Sequence, residues 1–325
     1  MSATPPPAAA EAATDEKPEP KKKVARTGLK GSGTQTKADA RLGWMMLAPA
    51  VLLTAVVLVY PMLVAVRQSF FSINTVTRAE RWVGLTNYAE LIVNYNFWAS
   101  MGRTVYWVIG AMLSQAVVGI AVALGLHAKI RGRTQIRGAV LFPYLVPAII
   151  AVLTWRWIFS DTVGVFNYIT NDVLGLGKLG WFDPEWAMIS VIVMSLWKYL
   201  PYWALFVLAR LQTIPVELYE AASIDGATSW QRFRYITLPW IMPVVMVLLV
   251  LRSIWAFREF DMVYLPFGGG PLRVTTTIAV YIRDLAFNIL DIGRAASAAM
   301  LMLIIVAALT QFYFWFYQRS EQTLD

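Results

Sequence analysis

The chain has 325 residues, of which 58% are hydrophobic and only 15% charged, with a mean hydropathy of +0.55. A soluble domain carries about a quarter charged residues, so this composition argues against an apolar soluble enzyme. The absence of cysteine excludes a disulfide framework, a thiol nucleophile and a thiolate metal site, and the single histidine, His127, ends an apolar run and reads as an interfacial side chain.

Residues 1–40 are dominated by Pro, Ala, Lys, Glu and Gly and carry the basic group Lys21, Lys22, Lys23 and Arg26. Such a stretch cannot bury a core and is expected to be a disordered basic cytoplasmic tail. It does not read as a secretory signal, because its basic residues run into Gly-Ser-Gly-Thr and not into a short apolar segment. From residue 41 to 325 the pattern is that of an all-α, polytopic membrane domain. Crossing the hydrocarbon takes about 20 mostly apolar residues. Six spans meet that length, at about 44–66, 104–127, 138–159, 186–209, 238–257 and 295–317. The third runs past Arg156, the fourth is interrupted only by Lys198, and the fifth carries Arg252. The apolar stretch Thr275–Ile282 is too short to cross and is expected as a helix near the outer interface.

Charge bias in the short loops orients the spans. The loop between spans two and three has Lys129, Arg131, Arg133 and Arg137 and no acid. The loop between spans three and four has Asp161, Asp172, Asp183 and Glu185 against Lys178 alone. Both termini and the loops joining spans two to three and four to five are therefore expected in the cytoplasm. On this reading the net charge of +8 is a topology signal and no nucleic-acid partner is implied. Trp44, Trp181, Trp186, Phe312, Tyr313 and Trp315, near span ends, read as lipid-interface anchors.

The loop between spans four and five, residues 213–237, carries Glu220-Ala221-Ala222, Asp225, Gly226, and Ile236 with Leu238-Pro239 just beyond. Pro215 suits the first turn of a helix over Val216–Asp225, and Gly226 supplies the left-handed residue that ends it. A second short helix is expected from about Ser229, with Pro239 opening span five. The spacing EAA, three residues, Gly, nine residues, I-x-LP resembles the signature of the permease subunits of bacterial ABC importers. Phe260-Asp261-Met262-Val263-Tyr264, Gly269-Gly270-Pro271, Thr275-Thr276-Thr277, Val83–Tyr88 and Trp197–Tyr202 resemble segments of the first, maltose-type permease of carbohydrate importers. The likeness covers residues from about Leu42 onward, without that relative's large outer domain or its two extra N-terminal spans.

This resemblance implies a type I ABC importer permease fold in the bacterial inner membrane. It further implies partnership with a second homologous permease, two copies of an ATPase subunit, an extracytoplasmic solute-binding protein and a sugar, di- or oligosaccharide. Glu220, Ala221, Ala222, Asp225, Gly226, Ile236, Leu238 and Pro239 would form the dock for the ATPase subunit. The chain has no G-x-x-x-x-G-K-[S/T] phosphate loop, so ATP and Mg are expected on that partner, with no cofactor or metal here and no catalysis by this chain. Matching to the maltose permease assigns the sugar path to Ser195, Tyr199, Tyr202, Arg252, Trp255 and Ala256. Lys198 and Arg252 are costly inside a membrane and must face the bundle interior or a partner. They line a polar path or pair structurally; an anionic saccharide or glycerol phosphate would give them a direct role. The reading from another class, an ion-coupled secondary transporter, would need buried carboxylates and leaves the Glu-Ala-Ala loop unexplained.

Overall fold

Hydrocarbon offers no hydrogen bonds, so a chain this apolar closes its backbone bonds within helices. The structure, a computed structural model, describes residues 37–321 except 76, 78, 129–131 and 176; the expected tail lies outside the described residues up to 36. Its elements in chain order are α1 (Lys37–Thr54), α2 (Tyr60–Gln68), β1 (Phe71–Ile73), β2 (Glu80–Trp82), α3 (Thr86–Ile92) and α4 (Tyr95–His127). There follow α5 (Arg133–Leu145), α6 (Ala148–Ile158), α7 (Val165–Asn167), α8 (Ala187–Leu211), α9 (Val216–Ile224) and α10 (Ser229–Arg232). The last are α11 (Leu238–Phe257), α12 (Asp261–Phe267), α13 (Ile278–Arg283) and α14 (Ile292–Glu321).

The chain divides into two compact units, one up to Val59 and one from Tyr60. The first unit contains α1 and a π-helical turn, Ala55–Val59, with exposed apolar side chains such as Trp44, Met46 and Leu52. The stretch Ala40–Gln68 is long and apolar enough to cross a membrane, as are Tyr95–His127, Ala187–Leu211, Ser229–Phe257 and Ile292–Tyr313. The expected second span begins earlier than its charges suggested. Arg103 lies inside α4, whose start is fixed by Asn94 accepting hydrogen bonds from the N–H groups of Asn96 and Phe97.

In the second unit α4 and α8 form the central packed pair. A Cβ added at Gly119 would lie 2.5 Å from Trp203 Cβ, so only glycine permits this approach. Small residues at a helix contact bring backbones close where the lipid supplies no hydrophobic drive. Trp107 on α4 ties in α11, donating from Nε1 to the Ala256 carbonyl at 3.0 Å.

The third span differs from a single straight crossing over 138–159. Helices α5 and α6 meet at a 100° bend. Pro147 explains it, since a proline pushes its predecessor out of the helical region; Val146 is extended, with ψ 128°. The carbonyls stranded at the break find a donor in Lys198, whose Nζ lies 2.5 Å from Val146 O and 3.5 Å from Tyr144 O. Beyond the bend Trp181 is buried, with its ring stacked on Phe159 at 4.7 Å, so it is a core residue and not the lipid anchor expected.

Pro239 sits in the first turn of α11, as expected, and the helical run extends back to Ser229 through a π-helical turn at Phe233–Thr237. The short segment after Thr275 forms α13 and packs into the bundle. Ile278, Val280 and Tyr281 are buried against α4 and α14, and the Ile278 N–H donates to Thr104 Oγ1 at 2.8 Å. The Val83–Tyr88 segment is structural in the same sense. Asn87 Nδ2 donates to the Ser69 and Phe71 carbonyls, and Ser297 of α14 donates to Ser69 O, which staples the β1–β2 hairpin to the last span.

Candidate functional site

The Glu-Ala-Ala loop begins where α8 stops at Leu211. Pro215 takes the N-cap position of α9, one residue before the helix. At the other end Gly226 has φ +74°; its N–H donates to Ser223 O, and the Ala227 N–H donates to Ala222 O at 2.9 Å. These are the two bonds of a Schellman motif, which needs the left-handed residue that glycine supplies. Thr228 then caps α10 through a reciprocal box with Gln231. That box was visible in the sequence as Thr-x-x-Gln. Two more bonds brace the loop against itself: Tyr219 Oη with Thr237 Oγ1 at 2.8 Å, and Arg232 donating to Ser223 Oγ at 3.0 Å.

None of the side chains of α9 is buried. Glu220, Ala221, Asp225, Gly226 and Pro239 are exposed, whereas Ala222, Ile236 and Leu238 are half-buried. Ile236 and Leu238 pack on the buried cluster of Leu126, Trp203, Leu211 and Ile241, which anchors the loop. Outward stand Val216, Ile224, Trp230 and Tyr235; Ile224 is 88% exposed. The helix is thus closed at its C-terminal end and leaves apolar side chains uncovered, a feature that marks interaction surfaces in general. Behind it, a cavity of about 820 Å³ is lined by Leu124, His127, Tyr219, Trp230, Arg232 and Phe233. His127 thus sits at this cavity's rim.

The second site lies between α4, α8 and α11. Arg252, only 1% exposed, donates from Nε to Gln115 Oε1 at 2.9 Å and from Nη2 to Ser195 Oγ at 3.0 Å. Gln115 closes the triangle by donating from Nε2 to Ser195 Oγ at 3.0 Å. The guanidinium lies 4.1 Å over the Tyr199 ring, and Tyr199 Oη donates to Glu259 Oε2 at 2.9 Å. Arg252 Nη1 stands 3.7 Å from the same carboxylate oxygen. The low dielectric here strengthens each satisfied bond and makes an orphaned group costly.

A cavity of about 300 Å³ opens beside this node, lined by Tyr199, Arg252, Trp255, Arg258, Glu259, Phe260 and Asp261. Of the residues assigned to the sugar path, Tyr199, Arg252 and Trp255 are brought together here. Tyr202 does not line the cavity; it packs on Trp255, ring centres 5.4 Å apart. Ser195 and Ala256 are fully buried, one bonded to Gln115 and Arg252, the other with its carbonyl taken by Trp107. Lys198 turns away to the α5–α6 break. The lining also takes in Arg258 and Glu259, charges near the span ends, and Asp261; Gln115, which lies behind it, was missed although it is a conspicuous amide within an apolar run. Two guanidinium groups, two carboxylates, a phenol and an indole face suit a hydroxylated ligand held by hydrogen bonds and stacking. Among the described residues no cluster of histidine and acids is able to hold a metal ion.

A family model described as "Binding-protein-dependent transport system inner membrane component" matches residues 115–324. The trehalose/maltose transport system permease protein MalF of Thermococcus litoralis is 36% identical over 256 residues, 78% of this chain and 85% of the relative. The sulfoquinovosyl glycerol transport system permease protein SmoG of Agrobacterium fabrum is 35% identical over 277 residues, 85% of this chain and 90% of the relative. In the solved structures, a chain of a bacterial ABC transporter involved in the import of the acidic polysaccharide alginate has a TM-score of 0.75 at 24% identity. That match covers 87% of this chain and 96% of the other, and speaks to the fold.

Proposed function

We propose, proceeding from the fact that this chain belongs to the binding-protein-dependent transport system inner membrane component family, that it moves a neutral di- or oligosaccharide inward by alternating access. It is a multi-pass permease subunit of the sugar ABC importer type. The finer parts of the reading are ours: ATP and Mg belong to two ATPase subunits in the cytoplasm, which receive the Glu-Ala-Ala loop. A second permease completes the pathway, a binding protein delivers the sugar from outside, and both termini are cytoplasmic.

The observation that carries the proposal is the loop at 213–237, rigid by its own caps yet uncovered along α9. Such an element transmits a push from a partner without deforming. Neutrality of the substrate is supported by the cavity lining, where Arg258 and Arg252 are balanced by Glu259 and Asp261. An acidic substrate would need a surplus of cation that this chain alone does not supply. Aromatic faces at Tyr199 and Trp255 suit sugar rings.

The test is reconstitution of the chain with its partner permease and ATPase subunits in lipid, followed by ATP hydrolysis measured with binding protein loaded with maltose, trehalose or sulfoquinovosyl glycerol. Stimulation by a neutral sugar and none by the sulfonated one is expected. Uptake driven by an ion gradient in the absence of ATP would overturn the reading.

A further inference from the structure

The 300 Å³ cavity touches only part of the polar node, and what governs its chemistry lies one layer behind it. Gln115 is fully buried and does not line the cavity. Its amide oxygen accepts from Arg252 Nε at 2.9 Å, and its amide nitrogen holds Ser195 Oγ where it accepts from Arg252 Nη2 at 3.0 Å. Two of the three guanidinium nitrogens are thus fixed from behind. The third, Nη1, is buried and has no hydrogen-bond partner among the described residues. The nearest carboxylate oxygen, Glu259 Oε2, stands off at 3.7 Å while accepting from Tyr199 Oη.

This arrangement is unusual in its energetics. A buried Arg beside a carboxylate ordinarily closes into a short bidentate pair, since that geometry best offsets desolvation. Here the tether to α4 holds the guanidinium back from that closure, with its plane on the Tyr199 ring at 4.1 Å. An orphaned buried donor of this kind is destabilising unless something fills it. The cavity is where the filling group would come from.

We infer that Gln115 is a positioning residue, which keeps Arg252 from collapsing onto Glu259 and so leaves Nη1 free as a hydrogen-bond donor to an acceptor oxygen of the transported ligand. The inference rests on the reading of this cavity as the substrate path. It assigns to α4 a part in specificity that side chains on α8 and α11 do not provide by themselves. Loss of the Gln115 amide lets Arg252 close the 3.7 Å gap to Glu259, draws the positive charge away from the cavity, and removes the donor.

The cysteine-free chain makes this testable without knowing the ligand. In the assembled complex in lipid nanodiscs, Trp255→Cys is labelled with an anionic and with a cationic methanethiosulfonate, and the ratio of rates is read on this chain by mass. Arg252→Gln sets the floor for that ratio. Gln115→Met is expected to lower it by about threefold or more, toward that floor, because the effective dielectric at a buried site leaves a charge a few ångströms away strongly felt. Gln115→Asn, which keeps an amide but retracts it by one methylene, is read the same way should the Met variant fail to assemble. A fall in melting temperature with an unchanged ratio would mean that Gln115 only packs, and would overturn the inference. An unchanged ratio in Arg252→Gln would show that Arg252 does not face the cavity, which overturns the reading of the site itself.

Discussion

In the Glu-Ala-Ala loop the hydrogen bonds close locally, Gly226 to Ser223 and Thr228 to Gln231, while Ile224 and Trp230 stand in the open. Around Arg252 the bonds join three helices over long sequence separations, 137 residues to Gln115 and 57 to Ser195, and nearly all of it is out of reach of solvent. Changes on the exposed face of the loop spare the core but not whatever covers that face. The node has the opposite vulnerability. Its members hold one another, so removing one disturbs the helix bundle before it disturbs any partner. A permease needs both, an outward handle that is locally rigid and an interior that resists collapse.

The largest expected effect lies in the node. Arg252→Met leaves Gln115 and Ser195 without their shared donor and Glu259 without its neighbouring cation, and should cost about 3 kcal/mol of stability, near the low end for breaking a buried pair because Glu259 keeps 13% exposure. Adding Gln115→Leu should return part of that loss, since no buried amide is then orphaned. Thermal unfolding of the chain in nanodiscs checks both. A double variant no better than the single one would mean that the node is not one network.

Next in size is Lys198→Met. It strips the carbonyls of Tyr144 and Val146 of their donor at the α5–α6 bend, where lipid offers no replacement. A loss of about 1–3 kcal/mol is expected. Amide exchange should rise at residues 145–150 while α9 stays as protected as before. If exchange rises in α9 as well, the two regions are not independent.

How much of this the sequence disclosed differs between the two regions for a physical reason. The loop is local. Glu220, Gly226 and Leu238 fall within one stretch, turn chemistry dictates a positive φ at Gly226, and the Thr228–Gln231 box follows from spacing. The helical spans were legible too, because hydrophobic length is a one-dimensional property. The node is not local. Matching to a relative pointed to Ser195, Tyr199 and Arg252, but nothing in the order of residues says that Gln115 faces them or that Ser195 is sealed behind Arg252. The bend in the third span lay in between. Pro143 and Pro147 are visible in the order of residues but went unread, and a turn of 100° depends besides on Lys198 arriving from another helix to satisfy the carbonyls. Trp181 was misjudged because an aromatic near a span end reads the same whether lipid or Phe159 lies against it.

Gly226→Val moves the contrast to the loop. A β-branched residue at φ +74° is strained, although nothing lies within 4 Å of the added Cβ. The Schellman bonds should open and α9 should fray. Stimulated ATP hydrolysis and uptake are expected to fall about tenfold, the equivalent of about 1.4 kcal/mol at the docking interface, with the melting temperature of the bundle unchanged. Wild-type activity in this variant would remove the loop from the coupling path.

The smallest effect asks whether the loop works through shape or through stiffness. Thr228→Ala deletes one side-chain cap, the bond from the Gln231 N–H at 3.3 Å, and leaves Gly226 and the outward face of α9 as they are. Losing a threonine cap costs a helix about 1 kcal/mol. If shape alone matters, the ATPase subunit reimposes the fold on docking, and only its affinity for the permease drops, by about fivefold, while turnover at saturation holds. If stiffness matters, a frayed α10 absorbs part of each stroke. Turnover then falls at saturation, and ATP hydrolysis persists with fewer sugars moved per ATP. The bracing bonds favour the second outcome, since the one from Tyr219 to Thr237 ties α9 to the base of α11 and the one from Arg232 to Ser223 ties α10 to α9. Counting sugars transported per ATP in proteoliposomes separates the two. An unchanged ratio would assign the coupling stroke to the docking face alone.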